Sequence, residues 1–469
     1  MLFLSLICTI GAMEQKPQQN IMGYEKIPRL VLKLSVPLMF SMIIQALYNV
    51  VDSIFVSRVS EAALTAVSLA FPLQNLLIAF GTGTGVGVNS LLARRLGEGN
   101  REGAEKVAHN GIFLALATYA VFLLFAIFGA KPFLSFYTDD PELLGLSVTY
   151  ATIVLGFSFG MFLDMTAERI LQATGDGLHP MLIQLTGAVA NIILDPILIF
   201  GCHMGVAGAA AATVLGQIIA MFIALRFVSR NKFVTVRITP KRLRPDGRII
   251  KEIYAIGFPS IIMVGISTVL VSGMNSILIA FSTTAVSVLG VYYKLQSFVF
   301  MPVMGLNNGM VPIIAFNYGA RKKDRMLATL KFGCLIAVCI MAVGTLVFQL
   351  FPGLLLSLFA ASDYMLEIGI PALRIISLNF IPAALAVSMG SVFQGTGSSI
   401  YSMIVSLARQ LVVLLPVAML IASFGVLEYV WFAFVIAEGF GLIGSIAFFI
   451  IVYRKKIKPL DQSQPESIN

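Results

Sequence analysis

The sequence predicts an all-α membrane protein: twelve transmembrane helices in two parallel six-helix lobes, with both termini in the cytoplasm. Three observations carry this expectation. Of 469 residues, 58% are hydrophobic and 12% charged, about half the roughly 25% charge of a soluble domain, so apolar side chains must face lipid. Twelve apolar segments are each long enough for a bilayer, which takes about 20 residues. The second half also repeats the first in a single register.

The first six spans are expected near 31–57, 62–92, 107–130, 143–173, 178–201 and 205–228. The other six follow near 252–281, 284–317, 327–352, 365–395, 400–424 and 428–453. The long ones contain Gly and Pro, so bends are expected in them. The domains follow: an N-terminal segment 1–30, a first lobe 31–228, a basic cytoplasmic linker 229–251, a second lobe 252–453 and a cytoplasmic tail 454–469. The opening MLFLSLICTIGA is apolar but too short to span, and it lacks the basic flank of a signal peptide. Met13 and Met22 are alternative starts.

Basic residues set the orientation. Arg94, Arg95, Arg101 and Lys106 follow the second span, and Arg321, Lys322, Lys323 and Arg325 follow the eighth. The linker and tail are basic too, from Arg230 to Lys251 and from Arg454 to Lys458. Loops after odd spans carry acids instead, Asp139, Asp140 and Glu142, then Asp363 and Glu367. The positive-inside rule therefore puts the even loops in the cytoplasm. The net charge of +9 is a topology signal, which removes nucleic acid as a partner.

The repeat has an offset of 222 residues: Pro37 matches Pro259, Gln74 matches Gln296, Gly97 matches Gly319, and QATG at 172–175 matches QGTG at 394–397. An even number of spans per half gives both halves the same insertion, a parallel repeat about the membrane normal.

Charges inside spans need a reason, since each costs about 2.5–3.5 kcal/mol on insertion scales. Asp52 lies in the first span and Asp195 in the fifth, with Asn191 one turn before Asp195. Removal from water favours the neutral form of a carboxyl, so such a group can trade a proton near neutral pH. The repeat sets Met274 or Asn275 opposite Asp52 and, after a small slip that matches Pro196 with Pro416, Leu415 opposite Asp195, so a cation site is expected in the first lobe only. Asp164 and Glu168, also one turn apart, admit two readings: a site, or an ion pair with Arg169. For Lys294, Arg374, Arg409 and Glu438 a structural ion pair is expected. Pro37 interrupts the first span's hydrogen bonding and reads as a static bend or as a hinge.

Other chemistry is thin. Cys8, Cys202, Cys334 and Cys339 form no CxxC pair, and His109, His179 and His203 lie far apart. The cysteines read as small apolar packing and the histidines as helix-end or loop residues, with no metal site expected. No Walker A loop and no soluble catalytic domain is visible, so neither an ATP-driven pump nor an enzyme is expected. The run GTGTGVG at 81–87 reads as close helix packing or a bend rather than a phosphate cradle.

YNVVDSIFVSRV, LARRLGEGNREGAEK, QATGDGLHP and NIILDPILIFG together resemble the multidrug and toxic compound extrusion (MATE) family from about residue 30 to 453. The DinF-like branch, which includes exporters of the MepA type, looks closest. The resemblance implies a V-shaped pair of lobes in the cell membrane, exchanging H⁺ or Na⁺ for amphipathic drugs or dyes, as a monomer without cofactor. It implies a coupling-ion site at Asp52, Asn191, Asp195, Tyr150 and Thr213, with Na⁺ conceivable at the first three. It also implies a substrate cavity lined by Gln45, Asn49, Met161 and Asp164, and a hinge at Pro37. The family's other branch places acids in helices 7 and 10, and the tenth span here, LNFIPAALAVSMGSVFQG, has none. Two rival functions remain: a lipid-linked oligosaccharide flippase of the wider superfamily, and an intramembrane aspartyl enzyme.

Overall fold

The computed structural model describes residues 20–236, 244–359 and 361–463; within these, the side chains of residues 48–50, 52–54, 57, 61 and 461–463 lie outside the description. The first lobe contains α1 (Ile27–Ser57), α2 (Glu61–Gly97), α3 (Arg101–Phe128), a bent α4 (Pro141–Gly156 and Phe159–Ala173), α5 (Leu178–Pro196) and α6 (Gly205–Ser229). The second contains α7 (Gly247–Leu278), α8 (Thr283–Gly319), α9 (Lys323–Leu350), a bent α10 (Asp363–Ser377 and Phe380–Gly395), α11 (Ile400–Ala422, with a π-helical middle at Ala408–Leu414) and α12 (Phe432–Val452). Among the described residues, ten helices are long and apolar enough to cross a membrane, and twelve when each bent pair counts as one span. The chain is a multi-pass membrane protein.

Local signals repeat along with the spans. Ser60 caps α2 by accepting from the Ala63 N–H at 3.0 Å, and Ser282, 222 residues later, caps α8 from Ala285 at 3.0 Å. Asp140 caps α4 and Ser362 caps α10 in the same register. Each hydroxyl or carboxylate satisfies N–H groups that a helix start leaves open. Gly175 and Gly397, the repeated glycines after α4 and α10, both take positive φ, 88° and 67°, which a side chain would strain.

The expected bends fall at two places. α4 turns by 44° at Phe157–Ser158 and α10 by 43° at Leu378–Asn379. The glycine-bearing α2 and the proline-bearing α8 each run as one helix, because their glycines serve packing between the lobes. A Cβ on Gly97 would meet the Phe316 carbonyl of α8, and one on Gly319 would meet the Arg94 carbonyl of α2. Gly83 lies against the Gly257 carbonyl of α7, and its counterpart Gly305 lies 2.7 Å from the Leu38 carbonyl of α1, measured from where a Cβ would sit. So α2 packs on α7 and α8 on α1, related by a pseudo-twofold axis. Small residues permit this approach where lipid supplies no hydrophobic drive between helices.

Two sequence expectations are corrected. His109 sits within α3, buried, with Nδ1 2.6 Å from the Glu105 carbonyl, rather than at a helix end. Cys202 and Cys339 are exposed rather than packed inside. Cys8 lies outside the described residues.

A methyl group on Gly319 would meet backbone, which no rotamer change can clear, so Gly319→Ala should cost about 1–3 kcal/mol. Gly145→Ala, where the space is open, should be neutral or slightly stabilising in a helix. Melting temperatures of the two purified variants check this; equal temperatures would count against the seam.

Candidate functional site

The first lobe places Asp195 where α5 meets α6. Gly187 of α5 and Gly216 of α6 face each other, a Cβ on Gly216 falling 3.0 Å from the Gly187 carbonyl and 3.3 Å from Asn191 Cβ. This contact brings Asn191 beside Thr213. With its amide nitrogen facing the carboxylate, Asn191 donates to Asp195 Oδ2 at 2.8 Å, and its oxygen accepts from the Thr213 N–H at 3.1 Å. The reverse orientation leaves the nitrogen 3.4 Å from Thr213 Oγ1, a longer and weaker contact. Asp195 is 0% exposed. Asn191, Asp195 and Thr213 are therefore joined by the fold.

Tyr150 is buried in the first half of α4 and accepts at its hydroxyl from Gln74 Nε2 of α2 at 2.9 Å. Gln74 was visible in the sequence only as a repeated residue; its bond to Tyr150 had no sequence signal. Ser41 of α1 donates to Gln184 of α5, a link between the two acid-bearing helices that sequence reasoning missed. α1 continues through the half-buried Pro37, one turn before Ser41. The side chains of Asp52 and Asn49 lie outside the described residues, so their places in the site rest on the sequence.

Lower on α4, Asp164 and Glu168 stand one turn apart. Asp164 Oδ1 and Glu168 Oε1 are both buried without a hydrogen-bond partner, and Glu168 is 6% exposed. The anticipated ion pair with Arg169 does not form. Arg169 instead donates to Gln172 Oε1 at 3.0 Å and lines a small void at the seam with Asn89, Asn308 and Gln394. Met161 and Met165 flank the acids, both touching the place of a Cβ on Gly81. A buried carboxylate without a donor is costly, and an ammonium or a proton would relieve it. Gln45 on α1 is exposed.

In the second lobe the expected ion pairing is found for Arg409 and Glu438 but, among the described residues, not for Lys294 or Arg374. Arg409 pairs with Glu438, and Gly441 leaves room for the Arg409 stem, 2.7 Å from the place of a Cβ. Arg374 Nε donates to the Gln349 carbonyl at 3.2 Å, and Lys294 lies 5.9 Å from the Phe359 ring centre. Where the first lobe has Asp195, the second has Leu415, packed on Gly273 of α7. Among the described residues no three His, Cys, Asp or Glu gather as metal ligands.

If Asn191 sustains Asp195, a double-mutant cycle on Asn191→Ala and Asp195→Ala should show coupling of about 1 kcal/mol or more in unfolding free energy. Additive effects would separate the two residues.

The pattern of the MatE family matches residues 37–197 and 255–420. The multidrug export protein MepA of Staphylococcus aureus is 25% identical over 443 residues, covering 93% of this chain and 96% of that protein. Its namesake in Staphylococcus saprophyticus is 26% identical over 89% of this chain and 92% of its own. A solved structure described as the outward-facing conformation of a multidrug resistance MATE family transporter superposes with a TM-score of 0.88 at 27% identity, covering 96% of this chain and all of that one. With the two matched segments spanning most of both lobes, the chain belongs to the MatE family.

Proposed function

We propose that this protein is a secondary active multidrug efflux antiporter of the cell membrane, which exports organic cations or other amphipathic compounds in exchange for H⁺ or Na⁺. The observation that carries the reading is the Asp195–Asn191–Thr213 group, fully buried in the first lobe, with an apolar Leu415 in its place in the second. Asp52, from the neighbouring α1, completes this coupling site, with Tyr150 beside it. Asp164, with Met161, Gln45 and Asn49, contributes to the cavity for the drug. Flexible thioethers suit varied apolar bodies, while the partnerless carboxylates suit a positive head. The basic loops place both termini in the cytoplasm.

The coupling follows from differential affinity. A cation entering from outside neutralises the acids, which weakens their hold on a cationic drug and favours its release. By linkage, the drug weakens the hold on the ion by the same factor. Pro37 supplies no N–H to the Lys33 carbonyl, so α1 bends there at low cost, in response to Asp52 and through the Ser41–Gln184 link.

Dye transport in proteoliposomes under separately imposed H⁺ and Na⁺ gradients tests the reading and names the ion. Asp195→Asn should lower gradient-driven uptake at least tenfold, roughly the effect of 1.4 kcal/mol; undiminished uptake would sink the assignment. Asp164→Asn with Glu168→Gln should weaken cationic dyes about tenfold or more while sparing neutral compounds, on the scale of a lost charge-assisted hydrogen bond.

A further inference from the structure

The segment before α1 ties the two lobes together. Asn20 Nδ2 donates to the Thr174 carbonyl, at the end of α4 in the first lobe, at 2.9 Å. Two residues later the bonds go to the second lobe. The Met22 carbonyl accepts from Asn317 Nδ2 at 3.1 Å and from Arg325 Nη2 at 3.0 Å, and Arg325 also donates to the Glu25 carbonyl at 2.8 Å. Lys322 Nζ donates to the Gly23 carbonyl at 2.8 Å. Asn317 in turn orients Arg325, accepting from its Nε at 3.1 Å. Met22 itself is 0% exposed, an apolar plug between these polar bonds.

A second set of bonds lies at the same end, around the corresponding turn of the second lobe. The Thr396 carbonyl, 222 residues after that of Thr174, accepts from Lys456 Nζ of the tail at 2.9 Å. Beside it, Ser90 of α2 donates to the Gln394 carbonyl at 2.7 Å, and Arg95 Nη2 donates to Glu252 Oε2 of α7 at 2.9 Å. The same end of the bundle is thus crossed twice, once by the N-terminal segment and once by α2, with Lys456 of the tail bracing the second lobe beside it.

We propose that residues 20–25 form a clasp holding the basic ends of the lobes closed, with Arg325 as the positioning residue that locks it. The N–H···O bonds run to both lobes from a six-residue stretch, and such bonds weaken steeply beyond about 3.2 Å. The ends cannot separate by more than an ångström or so without releasing one side of the clasp. Arg325 matters most because one planar guanidinium reaches two carbonyls and an amide at fixed angles, which a lysine cannot reproduce. The clasp's role in a transport cycle rests on the antiport reading above, but its effect on lobe separation does not.

The test uses the full chain in nanodiscs, with Cys8, Cys202, Cys334 and Cys339 replaced by serine. Spin labels sit at Glu102→Cys and Asp324→Cys, exposed positions in the first turns of α3 and α9. Dipolar distances are read without drug or ion gradient, so a wrong cargo or coupling ion leaves the result meaningful. Arg325→Gln should raise the ratio of long to short distances roughly fivefold or more, the effect of one charge-assisted hydrogen bond. Asn20→Ala should shift it the same way, Arg325→Lys by less, and Lys455→Gln, an exposed charge of the same end, not at all. An unchanged distribution in both Arg325→Gln and Asn20→Ala overturns the clasp, as does an equal shift in Lys455→Gln. Should Arg325→Gln fail to fold, Asn20→Ala decides alone.

Discussion

Everything in this structure depends on the backbone-to-backbone approach of α2 to α7 and α8 to α1. The lobes meet where a glycine on one helix receives a carbonyl from the other: Gly97 with Phe316, Gly319 with Arg94, Gly83 with Gly257. Dispersion falls away steeply with distance, so this contact is strong when closed and nearly absent when parted. A seam of that kind behaves as a two-position joint. It also demands polar partners at the end facing water, and Arg94, Arg95 and Glu252 provide them.

On this symmetrical frame the charges are distributed unevenly. The second lobe spends its buried acid on Arg409 and fills the place opposite Asp195 with Leu415. A paired carboxylate between hydrogen-bonded neighbours has little reason to take up or lose a cation. The first lobe keeps Asp195 under an amide donor and leaves Asp164 and Glu168 with buried oxygens that nothing satisfies. The unsatisfied acids of the first lobe and the paired acid of the second are the asymmetry on which the proposed coupling rests.

Much of this was legible in the sequence, for identifiable reasons. Span count follows from lipid thickness, and the fixed register of Pro37 with Pro259 and Gly97 with Gly319 exposed the repeat. One-turn spacing grouped Asn191 with Asp195. Contacts set by tertiary packing had no such signal. Nothing in the chain announces that Gln74 meets Tyr150 or that Arg325 reaches Met22, because those partners are brought together only when distant helices cross. The positions of the bends had no signal either: glycine or proline marks every long span, and only the packed structure shows that α4 and α10 turn while the close seam holds α2 and α8 continuous. Arg169 adjoins Glu168 in sequence, yet consecutive helix residues point about 100° apart, so the neighbour it meets is Gln172.

In the proposed antiport cycle, drug and coupling ion compete through the acids of the first lobe. Cation release on drug binding measures this directly. Purified protein in weakly buffered or ²²Na⁺-loaded solution is titrated with an organic cation dye, and the H⁺ or Na⁺ set free is counted per dye bound. The wild-type chain and Glu438→Gln should release ions alike, and Asp195→Asn far fewer. Full release from Asp195→Asn, or its loss in Glu438→Gln alone, would place the coupling elsewhere and contradict the account.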